Sequence, residues 1–309
     1  ADGTATNYGK LVFGKNSSGD VQKWYILGKD DGVSGDNTII FAASPIATGQ
    51  KFEDEYLKDK TFVSSFGGYE NEPSYVSPNH YGASDLRVAL KDMAANTSYF
   101  TIAEQGLMNP TTVKTKDTKN NVTYTTADKL YALAADGYGS SYKTIKAGSD
   151  NSTVLAMSSY WSSGDLFWLR LPRDPSSYVV LLAIPGRNVL EGDVDYGRAV
   201  QPASNLKLSS VLFASAATAA SSDTAESGTI TSDKAMTLRL DGTGKNIGTV
   251  TYNTTTGDIK VVKGTTSQTV ALVVQGNDGT NDWYYSKQIT GTETINASDI
   301  KSALSLTSD

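Results

Sequence analysis

The chemistry open to this chain is narrowed by the nucleophiles and ligands it carries. Its 309 residues include one histidine, His80, and no cysteine, against 33 acidic side chains. One imidazole without thiolates does not supply the three or four N/S ligands of a zinc site, and a three-histidine iron site fails likewise. A cysteine nucleophile is excluded. A Ser-His-Asp triad has only His80 to draw on, in YVSPNHYGAS, and no G-x-S-x-G elbow is present. His80 reads as a surface loop residue. Carboxylates allow paired acid–base chemistry of the glycosidase kind. Asp165 precedes the rings of Phe167 and Trp168, and Glu191, Asp193 and Asp195 form a second acidic patch. DDGVSGDN, EGDVD and GNDGTND offer the oxygen ligands that calcium takes, but none has EF-hand spacing. They read as turns, with structural calcium left open. No phosphate-cradling glycine loop occurs at a strand-to-helix junction.

The elements that would position these groups follow from periodicity and punctuation. Ser84 caps SDLRVALKDMAAN, where Leu86, Leu90 and Met93 share one helical face. Thr101 and Glu104 form a capping-box pattern in TIAEQGLMNP, stopped by Asn109-Pro110. TTADKLYALAADG, residues 125–137, predicts a third helix, with Leu130, Leu133 and Ala134 inward and Gly137 as its stop. KWYILGKD and NTIIFAAS, separated by DGVSG, read as a hairpin. FWLRLP, SYVVLLAI and GRAVQPASNL are further strands. From residue 214 the chain turns to small polar residues without period, the mark of a linker. MTLRLDG, GTVTYN, GDIKVVKG, TVALVVQG and WYYSKQI then recur at the spacing of a β-sandwich, and NASDIKSAL suggests a helical turn or two.

The net charge of −6 gives no basic footprint for nucleic acid or anionic lipid. No apolar run approaches the ~20 residues of a membrane helix. A cysteine-free, acidic chain rich in Thr, Ser, Asn and Gly suits a secreted or wall-attached protein of a Gram-positive bacterium. A cytoplasmic protein is the plain alternative. The ADGTATNYGK start fits a mature amino terminus or a cut boundary, and the LTSD end fits truncation.

FWLRLP, then YVVLLAIPGRNVLEGDV, then GRAVQPASNLKLSSVLFASAA form an ordered series over residues 167–217. With the opening FG…WYIL, S-D-L-R at 84–87 and F-T-x-x-E at 100–104, it resembles a domain family of unassigned function from surface proteins of Gram-positive gut anaerobes. That family shows a W-L-R-S-P turn and a V-R-P-A-x-x-L motif. Here Leu171 stands for the Ser, and Val200-Gln201-Pro202-Ala203 for V-R-P-A. The resemblance covers roughly residues 8–216. It implies an α+β, C-type-lectin-like binding domain at 1–216; composition and strand spacing beyond it add a linker at 217–232 and an Ig-like, all-β sandwich stalk at 233–309. The formylglycine-generating relatives of that fold work with cysteine and copper or a histidine cluster with iron, and this chain has neither set. The lectin calcium signatures E-P-N, Q-P-D and W-N-D are also absent. NEPS (71–74) and NDW (281–283) hold the letters in the wrong order. On such a scaffold Trp168 is core, Arg170 pairs with a buried carboxylate or carbonyls, and Arg173-Asp174 is solvated.

Recognition then falls to aromatic loops, since Tyr and Trp give rigid contact area with a polar tip. Three clusters qualify: Tyr69, Asn71, Tyr75, Asn79, His80 and Tyr81 in residues 64–84; Tyr138 and Tyr142; Tyr160 and Trp161. The expected function is a non-enzymatic adhesin, without cofactor, that grips a host protein such as immunoglobulin or mucin, or a glycan, as a monomer within a longer surface protein. The alternatives are a two-carboxylate hydrolase using Asp165 with Glu191 or Asp193, and a structural spacer.

Overall fold

A computed structural model describes residues 10–55, 60–61, 75–118, 121–149, 151, 153–156, 165–173, 179–184, 188–209, 211–217, 225–226, 235–240, 247–265, 270–277, 282–304 and 306. The chain is mostly strand with few helices. It divides into two compact units, one over residues 13–209 and one joining 10–12 to the chain after Ser209.

In the first unit the strands Val21–Gly28 and Asn37–Ala42 pair antiparallel, as the alternation and the intervening DGVSG predict. Ala203–Lys207 adds to Asn37–Ala42, and Leu130–Tyr131 and Met108–Asn109 both pair with Ala203–Lys207. A second sheet runs Val189–Asp193, Val179–Ala183, Phe167–Pro172, Arg198–Val200, Ala47–Gln50. Aromatic rings fill the interior. Phe13, Trp24 and Phe100 form one group and Phe52, Tyr81 and Trp168 another, with Phe41 against Phe167. Trp168 is core, as expected, and its indole N–H donates to the Gln50 carbonyl at 2.7 Å.

Both capped helices form. α1 (Asp85–Ala95) starts at Ser84, whose hydroxyl accepts from the Arg87 N–H, and buries Leu86, Leu90 and Met93. α2 (Ile102–Leu107) has the full capping box of Thr101 and Glu104. Glu104 also accepts from the Gly14 N–H at 2.7 Å. Gly14 has a φ of +70°, and a Cβ there would meet the Phe100 ring at 2.5 Å. Only glycine meets both demands.

The helix expected over 125–137 is absent. Thr111–Asp117 and Val122–Asp128 make an antiparallel hairpin, and Leu130–Tyr131 is a short strand. The physical reason is burial on every side. All of Leu130, Tyr131, Ala132, Leu133, Ala134 and Ala135 are buried, whereas an amphipathic helix would leave a polar face outside. Upstream, the β-branched TYTT run favours the pleated chain.

The second unit begins earlier than the expected boundary at 216. Val211–Ala217 pairs antiparallel with Ala235–Leu240, and Ala225–Glu226 pairs back onto Ala216 and Ala217. The stretch 217–232 is therefore partly sheet rather than linker, and its other residues lie outside the described set. Lys10 and Leu11 run parallel beside Ala235 and Met236. Gly248–Tyr252, Ile259–Lys263 and Thr292–Ile295 form a three-stranded sheet, and Val270–Asn277 with Asp282–Ile289 a hairpin. α3 (Ala297–Leu304) sends Ile300 into a core of Ile259, Val261, Val270, Leu272, Tyr285, Ile289 and Ile295.

Candidate functional site

Two buried arginines hold the first unit's frame. Arg170 is fully buried on the strand Phe167–Pro172. Its guanidinium donates to the carbonyls of Lys114 (3.2 Å) and Ala132 (2.7 Å) and to Asn151 Oδ1. It also lies 5.9 Å from the centre of the Tyr131 ring. The predicted structural role for Arg170 thus takes its carbonyl form. Arg87, on α1, ion-pairs with buried Asp128 at 2.8 Å and donates to the Gly82 carbonyl at 3.0 Å. Thr126 donates its hydroxyl to the other Asp128 oxygen. A planar fork with five donors serves several acceptors at once, which a lysine does not.

On the outside the loop after Ala135 carries exposed Tyr138 and Tyr142, at 39% and 40%. Its position is tied down along its length. Asp136 pairs with Lys146 at 2.6 Å, the Gly139 N–H donates to the Val189 carbonyl, and the Val189 N–H donates to the Tyr142 carbonyl. Gly137, expected as a helix stop, is instead the seat of the Tyr142 ring: a Cβ there would come within 2.5 Å of it. Arg173 lies 5.1 Å from the Tyr138 ring centre, donates to its hydroxyl at 3.2 Å and ion-pairs with Glu191 at 2.6 Å. Two phenols, a guanidinium and a carboxylate thus share one fixed surface. Such a set stacks on apolar faces and exchanges hydrogen bonds at its rim.

The chain matches no family model, no curated protein and no solved structure with which it was compared. The site therefore rests on its own geometry.

The residues predicted for recognition scatter. Tyr138 and Tyr142 come together, and Tyr75 is exposed at 52%. Asn79, His80 and Tyr81 correct the expectation, because all are buried. A 3-10 turn, Tyr81–Ala83, feeds α1 and carries them inward. The Tyr81 hydroxyl accepts from the Ala132 N–H, the Thr118 hydroxyl donates to Asn79 Oδ1, and the His80 ring meets Tyr124 edge-on at 5.9 Å. Replacing Tyr81 would test the core, not a binding surface. Tyr69, Asn71, Tyr160 and Trp161 lie outside the described residues, as does Asp174. Arg173, expected to be solvated, belongs to the surface cluster, as does Glu191. The chain separation between residues 138, 173 and 191 hid their meeting. The one available signal was Arg173 between two prolines, which stiffen its backbone.

The acids have similar answers. Glu191 is engaged by Arg173, and Asp165 is exposed while Phe167 and Trp168 are buried, so those rings do not enclose its carboxyl. Asp30, from the calcium-like DDGVSGDN, is buried and accepts from the Ser149 N–H (2.9 Å), the Ser149 hydroxyl (2.8 Å) and the Gly32 N–H. The loop is closed by its own protein donors. Among the described residues no group of three His, Cys, Asp or Glu side chains is placed to hold a metal ion. Nor is any helix among them long and apolar enough to cross a membrane.

Burial raises the Tyr81 and Tyr131 hydroxyls and lowers Arg170 and His80. The Tyr131 hydroxyl, which accepts from the Gly148 N–H, is pushed up to about 12. His80 is pushed down to about 4 by burial, with Arg87 adding and Asp117 opposing. An unfolded chain takes up that proton near 6.5 and the folded one only near 4. Stability from this residue is fully present above pH 6.5 and is lost as pH falls towards 4, by about 3 kcal/mol in all. Urea unfolding across that window should show the loss, and His80→Gln should flatten it. An unchanged slope in the variant refutes the assignment.

Proposed function

We infer that the chain is a non-enzymatic surface-binding protein of the adhesin kind. Its first unit recognises a host protein or a glycan through Tyr138 and Tyr142, with Arg173 and Glu191 at their side. One observation carries the reading: the aromatic loop is exposed yet held by backbone bonds to Val189 and by the Asp136–Lys146 pair. A loop already fixed loses little entropy on binding, so its rings contribute nearly their whole contact energy. Tyr75 is the further exposed ring from the predicted set. In this reading the first unit is a C-type-lectin-like frame and the second an Ig-like stalk, on the outside of a Gram-positive cell. It needs no cofactor.

The test immobilises the full chain, passes intestinal secretions over it and runs a glycan array beside it. A specific ligand from either arm is then measured against Tyr138→Ala/Tyr142→Ala. Buried aromatic anchors are typically worth about 2 kcal/mol, so affinity should fall at least ~30-fold with thermal unfolding unchanged. Gly137→Ala, which displaces the Tyr142 ring, should weaken binding in the same direction. A ligand that binds both variants as tightly as the parent would refute the site.

A further inference from the structure

Among the described residues of the second unit, one sheet edge stands out for its exposure. In its three-stranded sheet Gly248–Tyr252 is the outer strand, and among the described residues no strand pairs along its far side. All five of its residues are exposed, Val250 and Tyr252 at 60% each. These two stand opposite Val261 and Ile259, which belong to the core. Directly opposed residues share a sheet face. The apolar face therefore continues past the core onto the outer strand.

The backbone carries the same message. The Asn253 N–H donates to the Asp258 carbonyl and the Gly264 N–H to the Ile247 carbonyl. Antiparallel ladders alternate bonded and non-bonded pairs. Counting inward from both ends, Thr249 and Thr251 bond to Val262 and Lys260. The N–H and C=O groups of Gly248, Val250 and Tyr252 point the other way, out of the sheet. Open edges are ordinarily guarded by lysine, proline or a bulge. Residues 247–257, IGTVTYNTTTG, contain no charge and no proline, and the pairing of 248–252 with 259–263 runs without a shift.

We propose that this edge pairs with the same strand of a second copy of the chain, antiparallel about a two-fold axis through Val250. The register closes on itself. Val250 meets Val250, and Gly248 meets Tyr252, so all the outward groups find partners in about six N–H···O=C bonds. Thr249-Val250-Thr251 reads alike in both directions, which sets Thr249 against Thr251. Tyr252 of each copy covers the bare Gly248 of the other. With no charge in the segment, the antiparallel arrangement opposes no like charges. A five-residue strand buries less than the ~1,200 Å² of stable complexes, so the association is weak and concentration-dependent. It departs from the monomer expected from the sequence.

Sedimentation of the full chain at rising concentration tests this, and a monomer–dimer equilibrium is the expected result. Val250→Pro removes an outward donor that the sheet itself does not use. Val250→Lys sets like charges face to face on the axis. Each should weaken the dimer at least ~10-fold while thermal unfolding stays put. If the proline variant unfolds, the exposed lysine variant carries the test. The chain has no cysteine, so Val250→Cys should also cross-link under mild oxidation. A chain that stays monomeric at its highest soluble concentration overturns the proposal, as does a dimer that survives Val250→Lys.

Discussion

Arg170→Met should cost the first unit about 3–4 kcal/mol, read as a fall of roughly 10 °C in its unfolding midpoint. The side chain is fully buried and donates to Lys114, Ala132 and Asn151. Two effects compete. Burial of a guanidinium is unfavourable, as the lowered pKa of Arg170 records, and methionine relieves that penalty while filling much of the volume. Against this, two of the acceptors are backbone carbonyls, which no substitution removes. A buried ion pair can be replaced whole by apolar residues with little loss. Here only the donor leaves, and its acceptors stay dry. The second effect wins. Arg170→Lys should fall between the two, since a single ammonium does not span three directions. Chemical unfolding of both variants checks the order. A loss below ~1 kcal/mol for methionine would mean that other donors reach those acceptors.

Arg87→Leu should be comparably severe, at about 3–5 kcal/mol, because it strands the Asp128 carboxylate in the interior with the Thr126 hydroxyl as a remaining donor. The cycle with Asp128→Leu separates the ion pair from packing. The double variant should recover part of the loss, since it removes both charges together. Simple additivity of the two single losses would show that Arg87 acts through its bond to the Gly82 carbonyl rather than through the pair.

These two arginines differ in how far the sequence announced them. Arg170 sits among Phe167, Trp168 and Leu171, and that company already implied a buried, structural fork. Arg87 stood only in the S-D-L-R helix start, and its partner Asp128 fell inside the stretch misread as a helix. That stretch shows the general difficulty. Leu130, Leu133 and Ala134 fall at helical spacing, but apolar residues on all sides fit a buried extended chain equally well. Periodicity does not choose between them. The ladder between Thr111–Asp117 and Val122–Asp128 does.

Local signals held at three places where their physics was local. Ser84 capping α1, the Thr101–Glu104 box of α2 and the alternating strands around DGVSG each depend on atoms a few residues apart, and each formed. Lack of cysteine and of a second histidine likewise needed no coordinates to exclude thiolate chemistry and multi-histidine metal sites. Tertiary structure alone decided which tyrosines face outward. Tyr75 and Tyr81 lie in one Tyr-rich segment, yet one is exposed and the other is buried within α1's entry turn. It alone brought Tyr138, Arg173 and Glu191 together, and it alone left Val250 and Tyr252 exposed on a strand with no partner on its far side among the described residues. Exposure and long-range contact depend on what the rest of the chain packs against a residue, and the residue's neighbours in sequence carry no record of that.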